Sequence, residues 1–359
     1  MPNPADLRRR LRALAVAGLP VGDLWSRSDA LLRRHVPYDV GAWGQVDPAT
    51  LLSTGCLVLG LPFDAERERE ILRLEHDDGD VNRLVDLVRR TPPAGSLDLT
   101  TGGHPERSAR YPALLGPLGI RDDLRVAMVR DGLCWGSVYA YRRSSVFTAA
   151  EVALLGSVAG DLADGVHLAL LRADAMSDGS PDSPGLLLMG ADGRVTAVSE
   201  VADRWLRLLA PDGRIPPVVT SLLAALGGAH PGPARARVQT EDGRWLVLHA
   251  SHIDGAGSAV IVEAARPVEL AEVLCAAYGL TVRERDVVGP VLRGEANRSV
   301  ARTLGISEYT VKEHLKSVFG KVGVLSRAEL AARLLHEQYL PRRDAGVPAG
   351  SAGWFRETA

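Results

Sequence analysis

The sequence predicts a multidomain fold: two α+β units in series, followed by an all-α module of four short helices. Three observations predict it. Turn dipeptides between short apolar runs recur as far as residue 265, the pattern of antiparallel hairpins set among helices. A polar linker sequence, Ser177–Pro184, divides that region in two. From Val268 the periodicity is wholly helical. A length of 359 residues fits this division, because it exceeds one typical core.

The first unit is placed at residues 1–172. Residues 5–34 alternate in helical fashion. Arg8–Arg10 ahead of Leu11–Leu19 resembles the start of a signal peptide, but Arg12 breaks the apolar stretch and the amphipathic pattern runs on to Leu24. Val40–Val46 and Leu51–Leu57 read as strands joined at the turn Asp47-Pro48-Ala49-Thr50. A mixed helical stretch, Glu66–Arg90, leads to a loop at Thr91–Gly95. Leu124–Arg130 and Leu133–Tyr141 flank Asp131-Gly132, the strongest short hairpin signal in the chain. Thr148, with Glu151 three residues later, forms a capping box that opens a helix expected to reach Leu171.

After the linker (173–184) comes the second unit, 185–266. Gly185–Met189 and Val195–Val198 make a hairpin around Asp192-Gly193, and Glu200–Leu209 is a helix with Trp205 on its apolar side. Arg235–Thr240 and Trp245–Ala250 flank Asp242-Gly243, and Ala259–Glu263 is a final strand. The Asp-Gly-Arg triplets at 192, 212 and 242 are turn chemistry rather than a repeat, because their flanks differ. Residues 267–279 carry a connecting helix, Val268–Ala277. Helices then follow at about 282–293, 297–304, 308–322 and 327–337, within a module spanning 280–338. The Gly-, Ala- and Pro-containing tail, 339–359, is expected to be disordered.

Charge separates the module from the rest. The chain carries a net −2, yet residues 280–340 hold ten Lys/Arg against seven Asp/Glu, a modest excess that suits a polyanion. All three lysines of the chain, Lys312, Lys316 and Lys321, fall within ten residues of this segment. Three cysteines, odd in number and far apart, fit a reducing compartment and no disulfide framework. With no run of transmembrane length in the sequence, the expected location is cytoplasmic, without a membrane partner.

The lysines sit in a recognisable arrangement. Val300, Ala301 and Leu304 form the inner face of one helix, Gly305 permits a left-handed reversal, and Ser307 can cap the next helix. At 100° per residue, Val311, Leu315, Val318 and Val322 form a core-facing stripe on that second helix. The opposite stripe holds Tyr309, Lys312, Glu313, Lys316 and Ser317. A polar stripe of this kind is the default of any surface helix, so the wider context decides. Leu280-Thr281-Val282-Arg283-Glu284-Arg285, Gly294, Ser299-Val300-Ala301, Leu304-Gly305-Ile306-Ser307, Thr310-Val311-Lys312-Glu313-His314-Leu315-Lys316, Lys321-Val322-Gly323-Val324, Ser326-Arg327 and Glu329-Leu330 together closely resemble the LuxR-type helix-turn-helix domain.

That resemblance implies double-stranded DNA as partner. Lys312, Glu313 and Lys316 would face base edges with Tyr309 beside them, and Ser307, Thr310, Lys321 and Arg327 would lie at or near phosphates. Glu284 would tie helices together by an ion pair, and His314 is read as structural. The last helix, Arg327–Leu335, would dimerise the protein as a homodimer, and RNA polymerase is a candidate contact. The function implied is sequence-specific transcriptional regulation.

Residues 1–172 resemble a GAF domain and 185–266 a PAS domain, by strand and turn arrangement. Such domains commonly sense a small-molecule ligand or act as dimer scaffolds. No cysteine adjoins a histidine as a bilin site would prefer, and none lies in a flavin-photoreceptor sequence. His249 and His252 are three apart on a strand and point to opposite faces, so they would not chelate one metal. Trp25, Trp43, Trp135, Trp205 and Trp245 are read as core. Cys56 and Cys134 could approach within the first sheet, though buried free thiols are the favoured reading. No Walker loop, receiver-type acidic cluster or nucleophile motif occurs, so no enzyme activity and no cofactor are expected. The alternatives are a constitutive dimer whose upstream domains only scaffold, and an acyl-homoserine-lactone receptor, against which the two-unit N-terminal region speaks.

Overall fold

Two antiparallel sheets of five strands carry the N-terminal part of the chain, and both have the same strand order. In this computed structural model the described residues are 4–61, 65–75, 80–130, 132–172, 184–227, 233–240, 244–255, 257–265, 275, 278–292 and 294–336. The expected linker (apart from Pro184), the connecting helix (apart from Cys275) and the tail lie outside them.

The first sheet is flanked by helices α1 (Pro4–Val16) and α2 (Val21–His35) from the N-terminus. Strands β1 (Val40–Val46) and β2 (Ser53–Leu59) follow, then helices α3 (Ala65–Glu75) and α4 (Leu84–Leu87), strand β3 (Ala94–Ser96) and helix α5 (Leu97–Thr101). Strands β4 (Asp122–Arg130) and β5 (Leu133–Arg142) form the hairpin around Gly132, whose φ of 77° suits the turn. The order is β2-β1-β5-β4-β3. The single helix expected after Thr148 is two, α6 (Ala149–Ser157) and α7 (Ala159–Arg172), which meet at Val158. The capping box is present in full, with Thr148 Oγ1 accepting from Glu151 N–H at 3.3 Å and Glu151 Oε2 accepting from Thr148 N–H at 2.8 Å.

The second sheet is built from β6 (Gly185–Met189), β7 (Val195–Val198), β8 (Ala234–Gln239), β9 (Trp245–Ile253) and β10 (Gly257–Ala264), in the order β7-β6-β10-β9-β8. Helices α8 (Glu200–Leu209) and α9 (Pro217–Leu226) lie between β7 and β8 in the chain. Residues Met1–Ala173 and Ser183–Glu263 form one compact unit. Its two sheets are joined by a buried ion pair: the Arg237 guanidinium donates to both oxygens of Asp47 at 3.1 and 3.2 Å, and the Arg237 backbone N–H donates to Asp47 at 2.9 Å. A second tie is the Ser53 N–H donating to Ser221 Oγ at 3.0 Å.

The five tryptophans expected in the core are all buried. Cys134 is buried, and burial pushes its thiol up to about 12. Cys134 and Cys56 are both free, but Cys56 is exposed rather than buried as expected, and β1 lies between the strands that carry them. The helical stretch Ala149–Leu170 is long and apolar enough to cross a membrane, an exception to the sequence expectation. Its apolarity is accounted for by packing, with Leu155, Val158, Leu162, Ala163 and Val166 all buried in the unit.

The C-terminal module consists of α10 (Val282–Leu292), α11 (Asn297–Leu304), α12 (Glu308–Val322) and α13 (Arg327–His336). One apolar cluster holds them, with Leu280, Val287, Val300, Val311, Val318 and Leu330 at its buried centre. Cys275 is buried in the same cluster.

Candidate nucleic-acid interface

The turn between α11 and α12 is set by two local devices. Gly305 adopts φ 66°, which lets the backbone N–H groups after α11 return to its last carbonyls. A Cβ added there would meet nothing within 4 Å, so the requirement is conformational rather than steric. Ser307 then caps α12, its Oγ accepting from Thr310 N–H at 3.0 Å and lying 2.8 Å from Thr310 Oγ1.

The helix so positioned has two chemically distinct faces. Val311, Leu315, Val318 and Val322 are buried, as the sequence stripe predicts. Tyr309, Lys312, Glu313 and Lys316 are exposed, Tyr309 by 72%. Neither Lys312 nor Lys316 has an ion-pair partner among the described residues, so both ammonium groups are available to an external acceptor. His314 is half-buried beside the core positions.

Glu284 braces this helix from behind. Its carboxylate is 6% exposed and accepts from Thr281 N–H, Ser317 Oγ and Lys321 Nζ, each at 2.7 Å. Burial alone would raise its pKa, but the hydrogen bonds from Lys321, Ser317 and Thr281 outweigh that and hold it down at about 2. The interhelical role implied for Glu284 is therefore present. Lys321 also donates to Gly279 O at 3.0 Å.

Lys321 and Arg327, which the resemblance puts at or near phosphates, also make contacts within the module, Lys321 with 35% of its side chain still exposed. Lys321 is held by Glu284, and the Arg327 guanidinium donates to the carbonyls of Val291 and Glu295 and to Asn297 Oδ1. Ser317, counted on the groove-facing stripe, likewise points its hydroxyl to Glu284. Helical spacing could not reveal this, because the acceptor comes from another helix.

A helix presented by a tight glycine turn, with a buried apolar back and a cationic front, is a groove-reading geometry. Residues 279–334 match the family described as bacterial regulatory proteins, luxR family. The module is a LuxR-family helix-turn-helix domain. The monoamine regulon transcriptional regulator of Klebsiella aerogenes is 48% identical over 54 residues, covering 15% of this chain and 24% of that protein. The nitrate/nitrite response regulator NarL of Escherichia coli K12 is 39% identical over 100 residues, covering 26% and 45%. The chain thus spans less than half the length of these curated relatives. Among solved structures, the phycoerythrobilin-bound GAF domain of a cyanobacterial phytochrome is similar at 15% identity and a TM-score of 0.35, covering 48% of this chain and 98% of that one.

Among the described residues no group of three or more His, Cys, Asp or Glu could hold a metal. His249 and His252 have separate partners: His249 Nε2 lies 3.8 Å from Glu263 Oε1, while His252 Nε2 lies 3.2 Å from Leu226 O.

Proposed function

We propose that the chain is a sequence-specific, DNA-binding transcriptional regulator that acts as a homodimer and whose N-terminal α+β units respond to a small molecule or partner. The observation that carries the reading is the front of α12, where Tyr309, Lys312, Glu313 and Lys316 are exposed opposite a fully buried stripe. Lys312 and Lys316 donate to guanine O6/N7 or phosphate, Glu313 accepts from cytosine N4, and Tyr309 contacts the flank. Ser307 and Thr310 lie at the helix N-terminus, whose positive end favours a phosphate. Lys321 and Arg327 brace the helix rather than meet the backbone of the duplex, because each is already held by protein acceptors.

A two-fold dimer of this module reads half-sites about one duplex turn apart, roughly 10 base pairs from centre to centre. The last helix, α13, is the proposed dimer contact. A ligand that binds one arrangement of the upstream unit more tightly would shift the population of DNA-competent dimers. Selection from a random duplex library with the full chain tests the reading. An enriched inverted repeat with that spacing supports it, and recovery of duplexes with no common sequence counts against it.

A further inference from the structure

The N-terminal unit contains a hollow of about 1240 Å³, walled in part by one face of the first sheet. Residues paired across antiparallel strands share a face. Cys56, Gly44 and Ser137 stand abreast on β2, β1 and β5, with Val58 and Tyr139 in the next row of the same face, and all five line the hollow. Helix α3 adds Glu68, Ile71, Leu72 and Glu75 to the lining, which lie on one stripe by helical spacing. Three small side chains abreast leave the layer between sheet and helix unfilled. Tyr139, on the central strand of the sheet, and Val58 are accordingly only half-buried. Cys56 is exposed, yet burial pushes its thiol up to about 12. Accessible surface on a side chain surrounded by protein marks an internal hollow rather than the outer face of the molecule.

Once its internal pairs are set aside, the lining carries charge of one sign. Arg214 is the one cationic residue among the described lining residues, and it is paired with Asp212 at 2.6 Å. Glu75 is paired with Arg125, also at 2.6 Å. Asp23 and Glu68 remain, and neither makes a hydrogen bond or ion pair among the described residues. Asp23 is exposed on the first turn of α2. Glu68 is half-buried, and burial raises its pKa, an effect the nearby Arg214 only partly offsets. A cation beside Glu68 supplies the missing counter-charge. An anion would meet two unpaired carboxylates and no unpaired cation among the described lining residues.

We infer that this hollow binds a small organic cation, an ammonium group on a compact apolar body, with the ammonium at Glu68 and the body over the Cys56–Gly44–Ser137 row. The ammonium donates a charge-assisted hydrogen bond to the Glu68 carboxylate. The body displaces water from the apolar surface of Val58, Ile71 and Leu72. This deepens the ligand-responsive part of the proposed function, on which it rests, by giving the ligand a chemical class.

Calorimetric titration of the full chain with cyclohexylmethylamine, its neutral counterpart cyclohexylmethanol and the anion cyclohexanecarboxylate tests the inference. The amine should bind at least about tenfold tighter than either of the others, the worth of one hydrogen bond between charged groups. Glu68→Gln should weaken amine binding at least about tenfold and leave alcohol binding unchanged within about twofold. Its melting temperature should not fall, because Glu68 has no hydrogen bond or ion pair to lose among the described residues. Cys56→Leu fills the small row and should weaken the amine and the alcohol alike. Absence of amine binding, equal or tighter binding of the alcohol or the carboxylate, or unchanged amine affinity in either variant would each overturn the inference. Loss of both amine and alcohol binding in Glu68→Gln would overturn it too, by giving Glu68 a structural role. DNA binding is measured alongside: intact DNA binding without amine binding rejects the hollow alone, whereas failure of the wild type to bind DNA rejects the proposed function.

Discussion

Replacing Glu284 by glutamine should loosen α12 without touching its exposed face. The carboxylate is 6% exposed, and the hydrogen bonds to it hold its pKa at about 2, against about 4.3 in an unfolded chain. That difference corresponds to roughly 3 kcal/mol of stability at neutral pH. The folded value is the depressed one, so this stability is fully present above about pH 4.3 and is lost as the pH falls towards 2. Glutamine can still accept one hydrogen bond, but it leaves the Lys321 ammonium without its counter-charge. For so small a module a loss of this size shifts the melting temperature by about 10 °C or more. Hydrogen exchange of the α12 amides measures it directly, since the five buried tryptophans all lie in the other unit. Lys321→Met should cost a similar amount, and the double variant should cost clearly less than the sum, with a coupling of at least about 1 kcal/mol. Unchanged α12 exchange in Lys321→Met, together with a salt slope of DNA binding shallower by about 0.9, would refute the bracing role and return Lys321 to a phosphate.

Further outcomes follow from other parts of the chain. Asp47→Asn should destabilise the N-terminal unit by about 3 kcal/mol or more, because it removes a carboxylate paired with the buried Arg237 guanidinium; thermal unfolding followed by tryptophan fluorescence reads it. Gly305→Ala should cost about 1 kcal/mol through its φ of 66° and not through a clash, so Gly305→Asn should be better tolerated than alanine. The acid arm of the Glu284 prediction is separate: exchange protection of α12 should collapse between about pH 4.3 and pH 2 in the wild type, and Glu284→Gln should flatten that dependence.

Much of the architecture was legible from local pattern. β1, β6, β7 and α8 fall on the residues that alternation and turn signals mark, and the ends of α11 and α12 coincide with Gly305, Ser307 and Gly323. Where local chemistry was ambiguous, the reading slipped. β2 starts two residues later than expected because Leu51, at φ 61°, prolongs the turn. Helix α9 went unmarked because Val218, Val219, Thr220, Ser221 and Leu222 are all buried, and a helix enclosed on every side shows no amphipathic period. β3 and α5 occupy a stretch too short for periodicity to register.

The site shows the same division. The exposed face of α12 follows from spacing within one helix, so the exposure of Lys312 and Lys316 is legible from sequence. The partners of Lys321 and Arg327 come from α10 and the residues around it, 30 to 42 positions away, and no period connects them. The Asp47–Arg237 pair spans 190 residues and is invisible for the same reason.

The central claim is that α12 reads DNA through Lys312 and Lys316 on a helix whose stability does not depend on them. Operator affinity of the wild type and of the Lys312→Ala/Lys316→Ala double variant, measured across a salt series, tests it most directly. The double variant should lose about thirtyfold or more at each salt concentration, from two base contacts worth about 1–3 kcal/mol each. For each lysine that meets a phosphate the slope of log affinity against log salt should also become shallower by about 0.9, with α12 exchange unchanged. Wild-type affinity and an unaltered footprint in the double variant would contradict the account.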